Sequence, residues 1–94
     1  MAPALPATLT LAQASAAAAG LRIELERVAP GAAWEVDASA LSEFDTSALA
    51  VLLELQRAAR ARGAELAVAA PPAKLRQLAA LYGVDALLGL QPGT

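Results

Sequence analysis

An amphipathic helical segment between two strand-like segments is the feature that most constrains the fold of this chain. Residues 45–62 repeat apolar side chains at intervals of three and four residues, and Gly63 follows them, which predicts one long helix that ends at a glycine. Ala33–Asp37 before it alternates apolar and polar side chains, as a strand does. Glu65–Ala69 after it is more continuously apolar, as buried parallel strands are.

Shorter patterns on either side of this unit predict further elements. In residues 7–11, small or polar side chains alternate with leucine, which predicts a short strand. A helix is expected to begin after Ser15, a good N-cap residue, and to end before Pro30. A third helix is expected to begin at Pro71-Pro72 and to end at Gly83. Its predicted inward face consists of Leu75, Leu78, Ala79 and Tyr82.

The order of these elements predicts the α/β class. Strand and helix alternate three times, which favours a single small domain with a mostly parallel or mixed β-sheet and helices packed on one side. The domain is expected to span residues 7–90, with residues 38–44 as a loop. Residues 1–6, which contain two prolines, and residues 91–94 are expected to be flexible tails.

The composition argues against an enzyme, a metal protein or a nucleic-acid-binding protein. The chain has no histidine and no cysteine, so it lacks the commonest general base and the strongest zinc ligands. Its six glycines form no phosphate-binding loop, and no cofactor is expected. A formal net charge of −2 and 3% aromatic residues disfavour nucleic acid. The absence of cysteine, of a secretory pattern and of a long apolar run favours the cytoplasm.

On a helical wheel, residues 45–62 place apolar side chains on the face expected to meet the sheet and also on part of the opposite face. The inward arc holds Ala48, Val51, Leu52, Leu55 and Ala59. The opposite arc holds Thr46, Ala50, Leu53 and Arg57, with Leu49 and Arg60 on its flank. One or two exposed leucines are ordinary on a surface. A small apolar patch with arginines at its edge is also typical of a surface that docks a protein partner.

The residues that open this helix have two readings. Asp45 is expected to cap the helix, because an Asp or Thr side chain at that place accepts a hydrogen bond from a free backbone N–H. Thr46 and Ser47 follow as first-turn hydroxyls, and Ser47 is a candidate phosphorylation site. A phosphate at a helix N-terminus is electrostatically tolerated, so it would change the surface without melting the helix.

Several of these motifs resemble those of the STAS domain family. They are the strand ending in Val36-Asp37, the helix opening with residues 45–49 (DTSAL), Gly63 before the next strand, and Leu81-Tyr82-Gly83-Val84. The last of them is most similar to the MlaB branch of the family. The resemblance covers residues 34–88 and implies a small mixed sheet with helices on one side. One departure is Ala48, where the family usually has glycine; its methyl group falls on the inward arc.

The resemblance also implies a function and a set of site residues. The MlaB branch is the cytoplasmic subunit of an ABC transporter of phospholipid in Gram-negative bacteria, and it docks on the transporter's ATPase subunit, which is bound to the permease. The hydroxyl directly after the aspartate, here Thr46, is implied to matter for that docking. Leu49, Leu53 and Arg57 would share the docking face, and Lys74 and Leu81 of the third helix would add to it. In anti-sigma-factor antagonists, the other branch considered, the phosphorylated serine corresponds to Ser47.

Overall fold

The chain forms a small α/β domain, as predicted. A computed structural model describes residues 3–90. In chain order its elements are β1 (Thr8–Leu9), α1 (Leu11–Leu25), β2 (Ala33–Asp37), β3 (Glu43–Phe44), α2 (Thr46–Ala61), β4 (Glu65–Ala69) and α3 (Ala73–Leu81). Both strands of the central unit have the predicted bounds. The predicted loop at residues 38–44 contains the short strand β3, which the sequence pattern did not indicate.

The described strands pair in two short parallel sheets. β2 pairs with β4 in register from Ala33 opposite Glu65 to Asp37 opposite Ala69. β1 pairs with β3, with Thr8 opposite Glu43 and Leu9 opposite Phe44. The predicted parallel topology is therefore confirmed.

One face of the β2–β4 sheet is buried and the other is largely open. Trp34 and Val36 on β2 and Leu66 and Val68 on β4 are buried, whereas the alternating positions such as Glu35 are exposed or half-exposed. The buried side chains belong to a single aliphatic core to which all three helices contribute. This one-sided burial agrees with helices packed on one side of the sheet.

The N-terminal segment differs from the predicted tail. The backbone N–H of Leu5 donates to the carbonyl oxygen of Asp37 at 2.8 Å, and the N–H of Asp37 donates to that of Pro3 at 2.8 Å. Leu5 is 2% exposed and belongs to the core. The tail prediction is therefore wrong for residues 3–5, because they extend the edge of β2. Pro6 is exposed between Leu5 and β1, and residues 1–2 and the predicted tail at residues 91–94 lie outside the described residues.

Helix α1 begins earlier than predicted. Its N-cap is Thr10, and Ser15 lies exposed inside the helix. The side-chain Oε1 of Gln13 accepts hydrogen bonds from the backbone N–H of Thr10 at 3.0 Å and from its hydroxyl at 2.6 Å. Threonine followed three residues later by glutamine is the capping-box spacing, which was the overlooked signal. The predicted strand at residues 7–11 is shortened to Thr8–Leu9 as a result.

Helices α2 and α3 have the predicted ends. Gly63 and Gly83 follow them with φ values of 77° and 70°, the left-handed conformation that glycine adopts at no steric cost. The inward arc of α2 is buried in full, including Ala48. On α3, Leu75 and Ala79 are buried, but Tyr82 is 59% exposed. Its predicted place on the inward face is wrong, because it lies at the helix end where the chain turns away.

Candidate docking surface

The exposed side of α2 forms a ridge of four residues. Thr46, Ala50 and Arg57 are exposed, and Leu53 is half-buried. They follow one another at intervals of four, three and four residues, so they lie on one face of the helix over about 16 Å. The structure therefore brings together three of the predicted site residues, namely Thr46, Leu53 and Arg57.

Asp45 caps α2, as predicted, so the hydroxyl of Thr46 is not needed to cap the helix. The carboxylate Oδ1 of Asp45 accepts a hydrogen bond from the backbone N–H of Ser47 at 2.8 Å. This bond is the main reason that the pKa of Asp45 lies below its ordinary value. The hydroxyl of Thr46 has no hydrogen-bond partner among residues 3–90. Thr46 is thus exposed at the head of the ridge with its hydroxyl available.

Ser47 lies in the first turn of α2 and is half-buried. A hydrogen bond from its side chain also contributes to the lowered pKa of Asp45, so the Ser47 hydroxyl lies beside the Asp45 carboxylate. A phosphate on Ser47 would gain from the helix N-terminus but would be held next to that negative charge. Its phosphorylation stays a prediction.

Leu49 does not lie on the open surface. It is 5% exposed and belongs to the core, so the sequence prediction that placed it on the exposed flank of the ridge is wrong. The buried arc of α2 is therefore wider than the wheel suggested. Tyr82 and Val84, after α3, border the same hollow as Leu49. A partner contact of Leu49 through this hollow stays a prediction.

Two adjoining surface hollows lie along the ridge. The first, of about 370 Å³, is called the Thr46 hollow and is lined by Thr46, Leu49, Ala50, Leu53, Tyr82 and Val84. The second, of about 220 Å³, is called the Arg57 hollow and is lined by Leu53, Gln56, Arg57, Arg60 and Leu87. Leu53 separates the two and borders both. The docking surface is defined here as the ridge together with the residues that line these hollows.

Of the two arginines that line the Arg57 hollow, only Arg60 is neutralised by a carboxylate. Arg60 binds the Glu65 carboxylate through two hydrogen bonds of 2.9 and 3.2 Å. The pairing raises the pKa of Arg60 and lowers that of Glu65. Arg57 forms no ion pair with any residue that the structure describes. One unpaired positive charge therefore borders this hollow.

Gln56 is a structural residue that the sequence prediction missed. It is 2% exposed, and its Nε2 donates to the carbonyl oxygen of Leu87 at 2.8 Å. Its Oε1 accepts from the backbone N–H of Leu66 at 2.9 Å. The amide thus holds α2, β4 and the turn after α3 together beneath the Arg57 hollow. On the helical wheel Gln56 lies between Leu49 and Leu52, and this position was the signal in the sequence that its side chain would be buried.

Lys74 and Leu81 do not line the two hollows. The ammonium of Lys74 on α3 lies 5.8 Å from the ring centroid of Phe44. Leu81 is 78% exposed at the end of α3. The structure therefore leaves both outside the docking surface as defined, and a partner role for either stays a prediction.

Comparison with known proteins identifies the family. Residues 4–90 match the family described as "Mlab, STAS domain", so the chain belongs to the STAS domain family. No curated protein matches the chain significantly. Within residues 3–90, no helix is long and apolar enough to span a membrane, and no three acidic, histidine or cysteine side chains gather in a way that could hold a metal ion.

Proposed function

We propose that this chain is the MlaB-like STAS subunit of an ABC phospholipid transporter and docks on its MlaF-like ATPase subunit. In this role it has no catalytic activity, needs no cofactor and supports the assembly and activity of a transporter that maintains outer-membrane lipid asymmetry. It would reside in the cytoplasm, held at the inner membrane through the ATPase and permease rather than by its own contact with lipid. The family match, whose description names Mlab, supports this branch.

The observation that carries the proposal is the exposed, partly apolar ridge of α2. Asp45 caps α2, so the side chain of Thr46 is not required for capping. Leu53 stays half-buried between two hollows although the same helix buries Leu49, Leu52 and Leu55 fully. A half-exposed leucine with an available hydroxyl and an unpaired arginine is a combination that a protein partner can cover.

Co-elution with the purified ATPase subunit tests the proposal. Leu53→Asp should abolish co-elution or weaken binding at least about a hundredfold, because a carboxylate would be desolvated at the centre of the interface. Thr46→Ala should weaken binding about tenfold. Ile23→Asp is the matched control, since Ile23 is a 58% exposed apolar residue on α1, away from the hollows. Circular dichroism should show all three variants folded. Co-elution that survives Leu53→Asp would contradict the proposed surface.

The alternative function is that of an anti-sigma-factor antagonist switched by phosphorylation. It is favoured by the position of Ser47, whose hydroxyl lies in the first turn of α2 and is partly exposed. The intact mass of the chain purified from its own host distinguishes the two. A phosphorylated population that is lost in Ser47→Ala supports the switch, whereas an unmodified chain that binds the ATPase supports the transporter subunit.

A further inference from the structure

The two hollows of the docking surface differ in chemistry. The Thr46 hollow is bordered by apolar side chains and by uncharged groups, with no charged residue among those that line it. The Arg57 hollow has Leu53 and Leu87 as its apolar part and two guanidinium groups at its rim. Since Leu53 borders both, two neighbouring side chains of one partner segment are able to fill them together.

Two carboxylates on and beside α2 are already engaged by arginines other than Arg57. Glu65 accepts two hydrogen bonds from Arg60 and one from Gln56 at 3.1 Å. Glu54, one turn before Arg57, forms an ion pair with Arg22 of α1 at 3.7 Å. The charges of Arg60 and Glu65 offset each other, so Arg57 contributes the unneutralised charge.

From this arrangement we infer what the docked segment of the ATPase presents. It places a bulky apolar side chain in the Thr46 hollow and, at a neighbouring position, an aspartate or glutamate whose carboxylate pairs with Arg57. The inference rests on the proposed function and adds the chemistry of the contact. An arginine fits this role because its planar guanidinium binds a carboxylate through two hydrogen bonds. An apolar side chain seated in the neighbouring Thr46 hollow would keep water away from the pair and strengthen it.

Dissociation constants with the purified ATPase test the carboxylate. Arg57→Gln should raise Kd at least about tenfold, and Arg57→Glu should raise it further through repulsion. Arg27→Glu is the matched control because it makes the same charge change at an exposed site that lines neither hollow, and it should alter Kd less than about threefold. The Kd of the unmodified chain should rise with salt, and that of Arg57→Gln should rise less.

Two further changes make the test specific. One exchanges the charges of the proposed ion pair between the two proteins, and the other blocks the Thr46 hollow with a bulky side chain. Replacing the paired acidic residue of the ATPase with lysine should restore binding to Arg57→Glu and weaken binding to the unmodified chain. Ala50→Phe, at an exposed position on the rim of the Thr46 hollow, should raise Kd at least about tenfold with an unchanged melting temperature.

The outcomes separate this inference from the proposed function. If the ATPase binds the unmodified chain but Arg57→Glu behaves like Arg27→Glu, the carboxylate is overturned and the transporter role stands. If Ala50→Phe binds like the unmodified chain, the apolar anchor is overturned. If the ATPase does not bind the unmodified chain at all, the proposed function and this inference are both overturned.

Discussion

Leu49 and Leu53 lie one turn apart on α2 but serve different purposes. Leu49 is 5% exposed and belongs to the core, whereas Leu53 is half-buried and lies between the two hollows. A helical wheel places both near the outward arc, because it describes only the helix itself. Packing against other elements decides that Leu49 is covered and Leu53 is only partly covered. At the residue scale, Leu49 therefore serves mainly the core, and Leu53 is the leucine left accessible to the proposed partner.

Truncation of each leucine should show this separation. Leu49→Ala is expected to lower the free energy of unfolding by about 2–5 kcal/mol, since it leaves a cavity in a packed core. Leu53→Ala should lower it by only about 1 kcal/mol, since its side chain already contacts water. Urea unfolding followed by circular dichroism measures both. Equal losses for the two variants would place Leu53 in the core and argue against its docking role.

At the scale of elements, Gln56 fastens three of them to one another. From α2 its amide donates to Leu87 in the turn after α3 and accepts from Leu66 on β4. Arg62 acts similarly at the C-terminal end of α2. Its guanidinium donates to the carbonyl oxygens of Glu26 and Val28, just beyond the C-terminus of α1, at 3.0 and 2.9 Å. Polar side chains thus connect the elements that surround the mostly aliphatic core.

Gln56→Glu should make stability depend on pH in a defined direction. The introduced carboxylate would face the carbonyl oxygens of Leu66 and Leu87 and the carboxylate of Glu65, so burial and repulsion raise its pKa in the folded state. A raised carboxyl pKa costs nothing below the unfolded value of about 4.3, and the cost grows as pH rises above it. We expect a loss of about 3 kcal/mol at pH 7 and a smaller loss at pH 4.

Gln56→Leu is the control for that experiment. It leaves the backbone groups of Leu66 and Leu87 without their partner but adds no titratable group, so its loss of about 1–3 kcal/mol should grow from pH 4 to pH 7 far less than that of Gln56→Glu, each measured against the unmodified chain. Chemical unfolding at pH 4 and pH 7 compares the variants. A pH-independent loss in Gln56→Glu would show that the introduced carboxyl escapes to solvent.

At the scale of the whole molecule, segments near both ends of the described chain close the β2–β4 sheet. Pro3 and Leu5 bond to Asp37 at the end of β2. On the other side, the backbone N–H of Val68 on β4 donates to the carbonyl oxygen of Gly89 at 3.0 Å. Each contact is an isolated bridge, so it protects one position of the edge strand from pairing with another chain. Gly89 approaches β4 so closely that an added Cβ would lie 2.5 Å from the carbonyl oxygen of Leu66.

Alanine at Gly89 should therefore cost more than alanine at Gly83. Both glycines have positive φ, 62° and 70°, but a Cβ at Gly83 would meet nothing within 4 Å. Gly83→Ala should lower the free energy of unfolding by about 1 kcal/mol through backbone strain alone. Gly89→Ala should lower it by about 2–4 kcal/mol, because it also pushes the turn away from β4. Equal losses of unfolding free energy for the two variants, measured by urea unfolding, would mean that the turn at Gly89 shifts without cost to accept the added Cβ.

Most of the local elements of this protein, and its family, were predictable from the sequence alone. The bounds of β2 and β4, the Asp45 cap and the Gly63 stop follow from propensities and periodicities within a few residues. The α/β class follows from their order, and the STAS resemblance, read from short motifs, is confirmed by the family match. The inward arc of α2 was also predictable, since a helix must bury its apolar stripe.

Contacts between distant segments determine which residues outside that stripe are covered. Such contacts bury Leu49, bond the amide of Gln56 and pair residues 3–5 with β2. Periodicity describes one element at a time, so it cannot show which neighbour covers its edge. The candidate docking surface follows from the same packing, because Leu49 is buried whereas Leu53 stays half-buried and Arg57 is exposed.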